Sequence, residues 1–197
     1  RLEVLNAKSR IGNVDATVGP WRIREPEVEI TTAGSWDLEN GSGTASHITL
    51  VSSSIAFRAE EVGFQNGPPP SVSGRVGYRA DLERIWAWSG SENQRLTGHV
   101  VGQAHITADG SSVGVSWTTD GQHLTYSVPG EIATTRGGSV GSGRPEWRTV
   151  WSEEQMTIAG QLRQEQDRVL LDRVELRSPA LRVDGSGTIS DLANHCN

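Results

Sequence analysis

The chain has 197 residues and a formal net charge of −6 with acidic and basic residues interspersed, so no basic field exists to hold a phosphate backbone and nucleic acid is excluded as a partner. Leu, Ile, Val and Phe number 43, about 22% of the chain, close to the level at which chains stop burying enough surface to fold. Beside them stand 23 Gly, 21 Ser and 15 Thr, with 18 Val against 13 Leu, residue choices that favour strands and turns and exclude an all-α fold.

Taken in chain order, the first readable unit is Glu29–Ala59: a strand, a polar turn and a second strand. Within that second strand the apolar residues change parity across Ser52-Ser53-Ser54, from Ile48 and Leu50 to Ile55 and Phe57. A strand that flips its buried face in mid-course needs a bulge or bend. The strands break at Asn66-Gly67-Pro68-Pro69-Pro70, which no strand or helix can cross. The one stretch arguing for helix is Ala80–Ser89, where Leu82, Ile85, Trp86 and Trp88 follow a helical stripe and Asp81 and Glu83 occupy the first turn.

From Leu96 to Gly130 the pattern predicts three short strands joined at Asp109-Gly110 and Asp120-Gly121, dipeptides suited to tight hairpin turns. One face then carries Val100, Gly102, Ala104 and Ile106, next Val113, Val115 and Trp117, next Leu124, Tyr126 and Val128. The other face takes His99, Gln103, His105, Ser116, Thr118, His123 and Thr125. That is a one-sided antiparallel meander. A flexible linker is read over 134–147 around Gly137–Gly143. Beyond it, Gln155–Gly185 aligns without gaps on Glu29–Ala59 at an offset of 126 residues, with Ser178-Pro179-Ala180 in the place of the serine triplet. The organisation expected is one β-rich domain over 1–197, with repeat-like stretches 1–66 and 148–197 around a central helix and meander, 71–130.

Catalytic and metal chemistry finds no support. His99 and His105 share a face but lie about 20 Å apart along a strand, too far for one metal, and His123 is read as two strands from His105. Cys196 has no metal-ligand company, and His47 and His195 have no visible partner. No G-x-S-x-G is present, and Arg144-Pro145 after Gly143 does not continue as a phosphate loop would. The reading is no enzyme, no cofactor and no metal. Seven tryptophans stand out; exposed on a sheet, Trp36, Trp147 or Trp151 would suit a β-sandwich carbohydrate-binding module stacking sugars, the alternative to the reading below.

Three stretches carry a resemblance. Arg177 to Leu192 (RSPALRVDGSGTISDL) is a strand closing on small-Gly-x-Gly and Asp-Leu; Leu50–Val62 is its weaker counterpart; and Ala80–Trp86 followed by Leu96–Gly102 places a short Asp-Leu helix before a new glycine-bearing strand. In these the chain resembles the AsmA-like and TamB-like proteins of bacteria with two membranes. The resemblance implies a long, curled, trough-like antiparallel sheet built from repeated hairpins, in periplasmic proteins anchored in the inner membrane, whose apolar side shields phospholipid acyl chains moving toward the outer membrane. The chain starts at Arg1 and ends on a hydrophilic tail, and is read as an internal or C-terminal piece, with its anchor elsewhere in the same long polypeptide. The residues expected to line the groove are Val100, Ala104, Ile106, Val113, Val115, Trp117, Leu124 and Tyr126, with Leu82, Ile85 and Trp86 capping it.

Overall fold

The computed structural model describes residues 2–37, 39–66, 69–110, 112–130, 146–165 and 168–189. These form one antiparallel sheet of ten strands in sequence order: β1 (Leu2–Val18), β2 (Trp21–Asp37), β3 (Ser42–Val51), β4 (Ile55–Gln65), β5 (Ser71–Asp81), β6 (Arg95–Asp109), β7 (Ser112–Pro129), β8 (Trp147–Glu165), β9 (Arg168–Arg177) and β10 (Arg182–Ile189). A single helix, α1 (Leu82–Ala87), interrupts the meander. The all-β, trough-like sheet with one short amphipathic helix is therefore the fold.

The sheet is one layer thick. The chain exposes 13939 Å², against roughly 9,000 Å² for a compact globule of its 21.3 kDa. Among the described residues no side chain is fully buried, and the well-covered apolar ones are only Ala33, Ala59, Ala80 and Leu124. The low content of bulky residues thus produces no sealed core, only a surface with one apolar side.

Of the two Asp-Gly turns expected, one forms. Asp109-Gly110 is a turn: Gly110 takes φ +56°, Pro69 packs where a Cβ would stand, and Ser112 Oγ donates to Asp109 Oδ1 at 2.6 Å. Asp120-Gly121 is not, because β7 runs straight through it and the expected second and third strands are one. Asp120 instead accepts from Thr157 Oγ1 across the sheet at 2.7 Å, and Gly121 leaves room for Leu124, whose Cδ1 lies 2.7 Å from where a Cβ would be. The parity change comes from a bulge at His123, which takes φ +51° and lies between the pairs His99↔Gln122 and Thr97↔Thr125. It also places His123 on the strand next to His105 rather than two strands away.

Conversely, Ser52-Ser53-Ser54 and Ser178-Pro179-Ala180 are hairpin turns rather than kinks. Ser52 N–H donates to Ile55 O at 2.8 Å and Ser178 N–H to Leu181 O at 2.7 Å. The serine hydroxyl pins each turn, accepting from the N–H groups of Ser54 and Ile55 in one, and Ala180 and Leu181 in the other. All these atoms correspond at the offset of 126. So do the bulged residues Ser46 in β3 and Asp172 in β9, each skipped by the pairing of its neighbours, and the register Val51↔Ala56 matches Arg177↔Arg182.

The linker expected over 134–147 lies outside the described residues as far as 145, and Trp147 already begins β8. His195, Cys196 and the Asp-Leu ending at Leu192 also lie outside them.

The helix is shorter than the ten residues expected. Asp81 is its N-cap, accepting from the N–H groups of Glu83 at 3.0 Å and Arg84 at 3.3 Å. It stops at Trp88, and Gly90 follows with φ +67°. Beyond the end of β3, the free edge of β2 is held by this region: Arg22 N–H donates to Trp88 O at 2.8 Å, and buried Glu25 accepts from Ser53 N–H and Oγ–H at 3.1 and 2.8 Å.

Candidate functional site: the apolar face

Pairing fixes which residues share a side, because partners across an antiparallel ladder point the same way. One transverse row reads Ala7, Thr32, Ile48, Ala59, Val76, Ala104, Trp117, Gly160, Val174, Gly185 from β1 to β10. Its neighbour on the same side passes from Ile30 through Leu50, Phe57, Tyr78, Gly102, Thr119 and Ile158 to Leu176. The row between them, on the other side, is polar: Lys8, Thr31, Thr49, Arg58, Gly77, Gln103, Thr118, Ala159, Glu175, Asp184.

The eight sheet residues expected to line the groove stand on this apolar side. Val100, Ala104 and Ile106 do so from β6; Val113, Val115 and Trp117 from β7 before the His123 bulge; Leu124 and Tyr126 from β7 after it. Leu82, Ile85 and Trp86 form the half-buried stripe of α1, while Glu83, Arg84 and Ala87 are exposed. The helix packs chiefly against β6, and Trp86 Nε1–H donates to Gln94 O at 3.1 Å. Sequence reasoning assigned the central strands alone. The same period-two alternation in β2, β3, β4, β8 and β9 carries the face over the whole sheet.

Large side chains lie across glycines of the neighbouring strand. A Cβ on Gly160 would stand 2.4 Å from the Trp117 ring, one on Gly102 2.4 Å from Tyr78, and one on Gly43 2.5 Å from Trp36. Trp36 also stacks on Phe64 with ring centroids 5.2 Å apart. The glycines of the strands are thus floor space for rings. Tyr78 satisfies its hydroxyl on Thr119.

The tryptophans form no common platform. Trp36 shares the row of Val113 on the apolar side; Trp151 pairs with Tyr126, about 40 Å farther along β7 by strand rise; Trp147 pairs with Pro129 on the other side.

The polar side carries a hollow of about 580 Å³ whose rim includes Arg58 and Arg75 at one end and Arg173 at the other, with Gln103, His105 and Gln161 between. Its charges are paired: Arg58 with Glu60 at 2.6 Å, Arg75 with Glu61, and both Arg173 and Arg177 with Glu175. Elsewhere, hydrogen bonding to Arg163 holds Asp172 below the usual carboxylate range, Arg22 does the same for Asp15, and Lys8 followed by Arg10 for Glu29. His123 Nδ1 meets Glu154 at 2.7 Å, both exposed. Among the described residues no three His, Cys, Asp or Glu converge as a metal site, and no helix is long and apolar enough to cross a membrane.

Comparison with family models, curated proteins and solved structures gives no match.

Proposed function

We propose that this chain is a noncatalytic β-scaffold segment of an AsmA-like protein of the periplasm, serving lipid transport or envelope biogenesis by holding phospholipid acyl chains against its apolar side. The observation that carries the reading is the apolar face itself, which runs over all ten strands with its central side chains half-buried and, among the described residues, with no second layer packed on it. Monomeric soluble proteins seldom leave so large an apolar surface open unless something occupies it. Acyl chains suit it because the face lacks a defined cleft or converging polar groups, and burial of each methylene contributes about 0.8 kcal/mol without requiring specific geometry. Sugar stacking on Trp36, Trp147 or Trp151 has less support, because Trp36 and Trp151 lie about 40 Å apart on the apolar side and Trp147 lies on the other.

Native mass spectrometry of gently extracted protein tests this. Co-purifying phospholipid is expected in the wild type. In Val115→Asp, which sets a charge in the middle of the face between Ile106 and Leu162, its occupancy is expected to fall at least about tenfold, the equivalent of 1.4 kcal/mol, with the β circular-dichroism signal retained. Lipid-free wild type whose tryptophan fluorescence is quenched by glycans would sink the proposal in favour of the carbohydrate module.

A further inference from the structure

We propose that the hollow on the polar side binds an acidic oligosaccharide, which lies across the strands with anionic groups at the two arginine-bearing ends and its hydroxyls over the middle. The hollow crosses β4 to β9, and each of those strands has a described neighbour on both sides, so it does not depend on what continues the sheet at either edge. Thr118 in its floor stands about 36 Å along β7 from Pro129. Residue size makes the shape. The polar-side rows that cross the hollow are short in the middle, at Gly77 on β5, Ser116 and Thr118 on β7 and Ala159 on β8. Long side chains stand at the ends, Arg58 and Arg75 on β4 and β5 and Arg173 on β9. The volume of about 580 Å³ is that of a small-molecule or short-oligomer site.

The chemistry of the lining selects the ligand. Trp117 turns its ring to the apolar side, over Gly160, and Tyr78 lies on that side too, so among the described residues no indole or phenol ring offers the hollow a stacking platform. That disfavours nucleotides and neutral sugars held by stacking. Between the arginines, Gln103, His105 and Gln161 carry amide and imidazole groups that both donate and accept, as hydroxyls do. A short run of hydroxyl-bearing rings matches that middle, and the ends ask for negative charge. Arg58 meets Glu60 through Nε at 2.6 Å, leaving its Nη groups for another acceptor, and Arg75 meets Glu61 through Nη2. A guanidinium holds five N–H donors in a fork that fits a carboxylate. At the other end Arg173 and Arg177 share the one carboxylate of Glu175, whose side chain is 12% exposed. Arg79 flanks the Arg58 end and makes no ion pair among the described residues. These five guanidinium groups outnumber the four carboxylates of Glu60, Glu61, Glu175 and nearby Asp120, a local positive excess in a chain whose net charge is −6.

The hollow lies opposite the apolar face, so this inference does not rest on the lipid reading and its test contains no lipid. Isothermal titration calorimetry of the whole chain with the tetramer of galacturonic acid is expected to show one-to-one binding that weakens as salt is raised from about 50 to about 500 mM, with tryptophan fluorescence unchanged. The fully methyl-esterified tetramer keeps the rings without the charge and is expected to bind at least about tenfold more weakly. Arg58→Gln and Arg173→Gln fall on side chains 64% and 66% exposed, where the fold tolerates the change. Each is expected to retain the wild-type circular dichroism and to weaken binding of the acid form at least about tenfold. Gln103→Leu, which removes hydrogen bonds without charge, is expected to weaken it by the same factor at both salt concentrations. Absence of binding, equal binding of acid and ester, or full binding by both arginine variants overturns the inference. So does inorganic phosphate that competes as well as the tetramer, which would mean a small-anion site only, or quenching of tryptophan fluorescence, which would put the sugar on the rings.

Discussion

Gly160 has no Cβ because the Trp117 ring occupies that space. Adding a methyl there sets it under 3 Å from three ring atoms, Cζ2, Cη2 and Cε2, which forces the indole aside on a face where it has no second layer to hold it. Gly160→Ala is expected to destabilise the sheet by about 1–3 kcal/mol, as overpacking does, measured by urea unfolding of dilute protein. Gly12 makes the contrast, since its nearest foreign atom is Pro26 O at 3.9 Å. There the same substitution meets no obstacle and is expected to leave stability unchanged or raise it by about 0.4–1 kcal/mol by restricting the unfolded chain. If the two variants behaved alike, the pairing of rings with glycines would not explain why so many glycines sit inside strands.

At the scale of elements, the helix depends on its cap more than on its length. Six residues are too few to be stable alone, so α1 exists because Asp81 satisfies two of its open N–H groups and because Leu82, Ile85 and Trp86 rest near β6. Asp81→Ala is expected to cost about 1 kcal/mol and to raise amide exchange over Leu82–Ala87 before that of β6, read by hydrogen exchange. The turns teach a related lesson. A change of parity in the apolar pattern marks either a bulge within a strand or a hairpin between two, because both add one residue to the alternation. At 52–54 a serine hydroxyl accepting two backbone N–H groups closes a hairpin; at His123 a left-handed residue in a strand that keeps its partners on both sides, with a shift of register only toward β6, makes a bulge. Asp-Gly suited a turn at 120–121, yet ladder bonds to strands on both sides outweigh that local preference.

Over the whole molecule, charge is organised as paired ladders on exposed surface rather than as a buried network. Asp15, Glu29 and Asp172 each titrate below their ordinary values of 3.8, 4.5 and 3.8, the largest cause in each being a hydrogen bond from Arg22, Lys8 and Arg163 respectively. A carboxylate held low in the folded state stabilises it above the unfolded value and loses that contribution as pH falls through the folded one. The melting temperature is therefore expected to be level from neutrality to about pH 5 and to decline below about pH 4. Because the pairs are solvated, added salt should flatten the decline. A melting temperature that instead fell between about pH 7 and pH 5 would assign the pH dependence to histidine rather than to these carboxylates.

Composition and alternation determined the class of this protein and the side on which its apolar residues stand, because a strand's period of two is local and survives without knowledge of its partners. The six positions Val100, Ala104, Ile106, Val113, Val115 and Trp117 follow from that rule, whereas Leu124 and Tyr126, expected on the same side through a turn at Asp120-Gly121, stand there because of the His123 bulge. Only the tertiary structure decided which parity changes are turns and which glycines lie beneath rings, since each depends on the strand lying alongside and no residue carries the identity of its neighbour across the sheet.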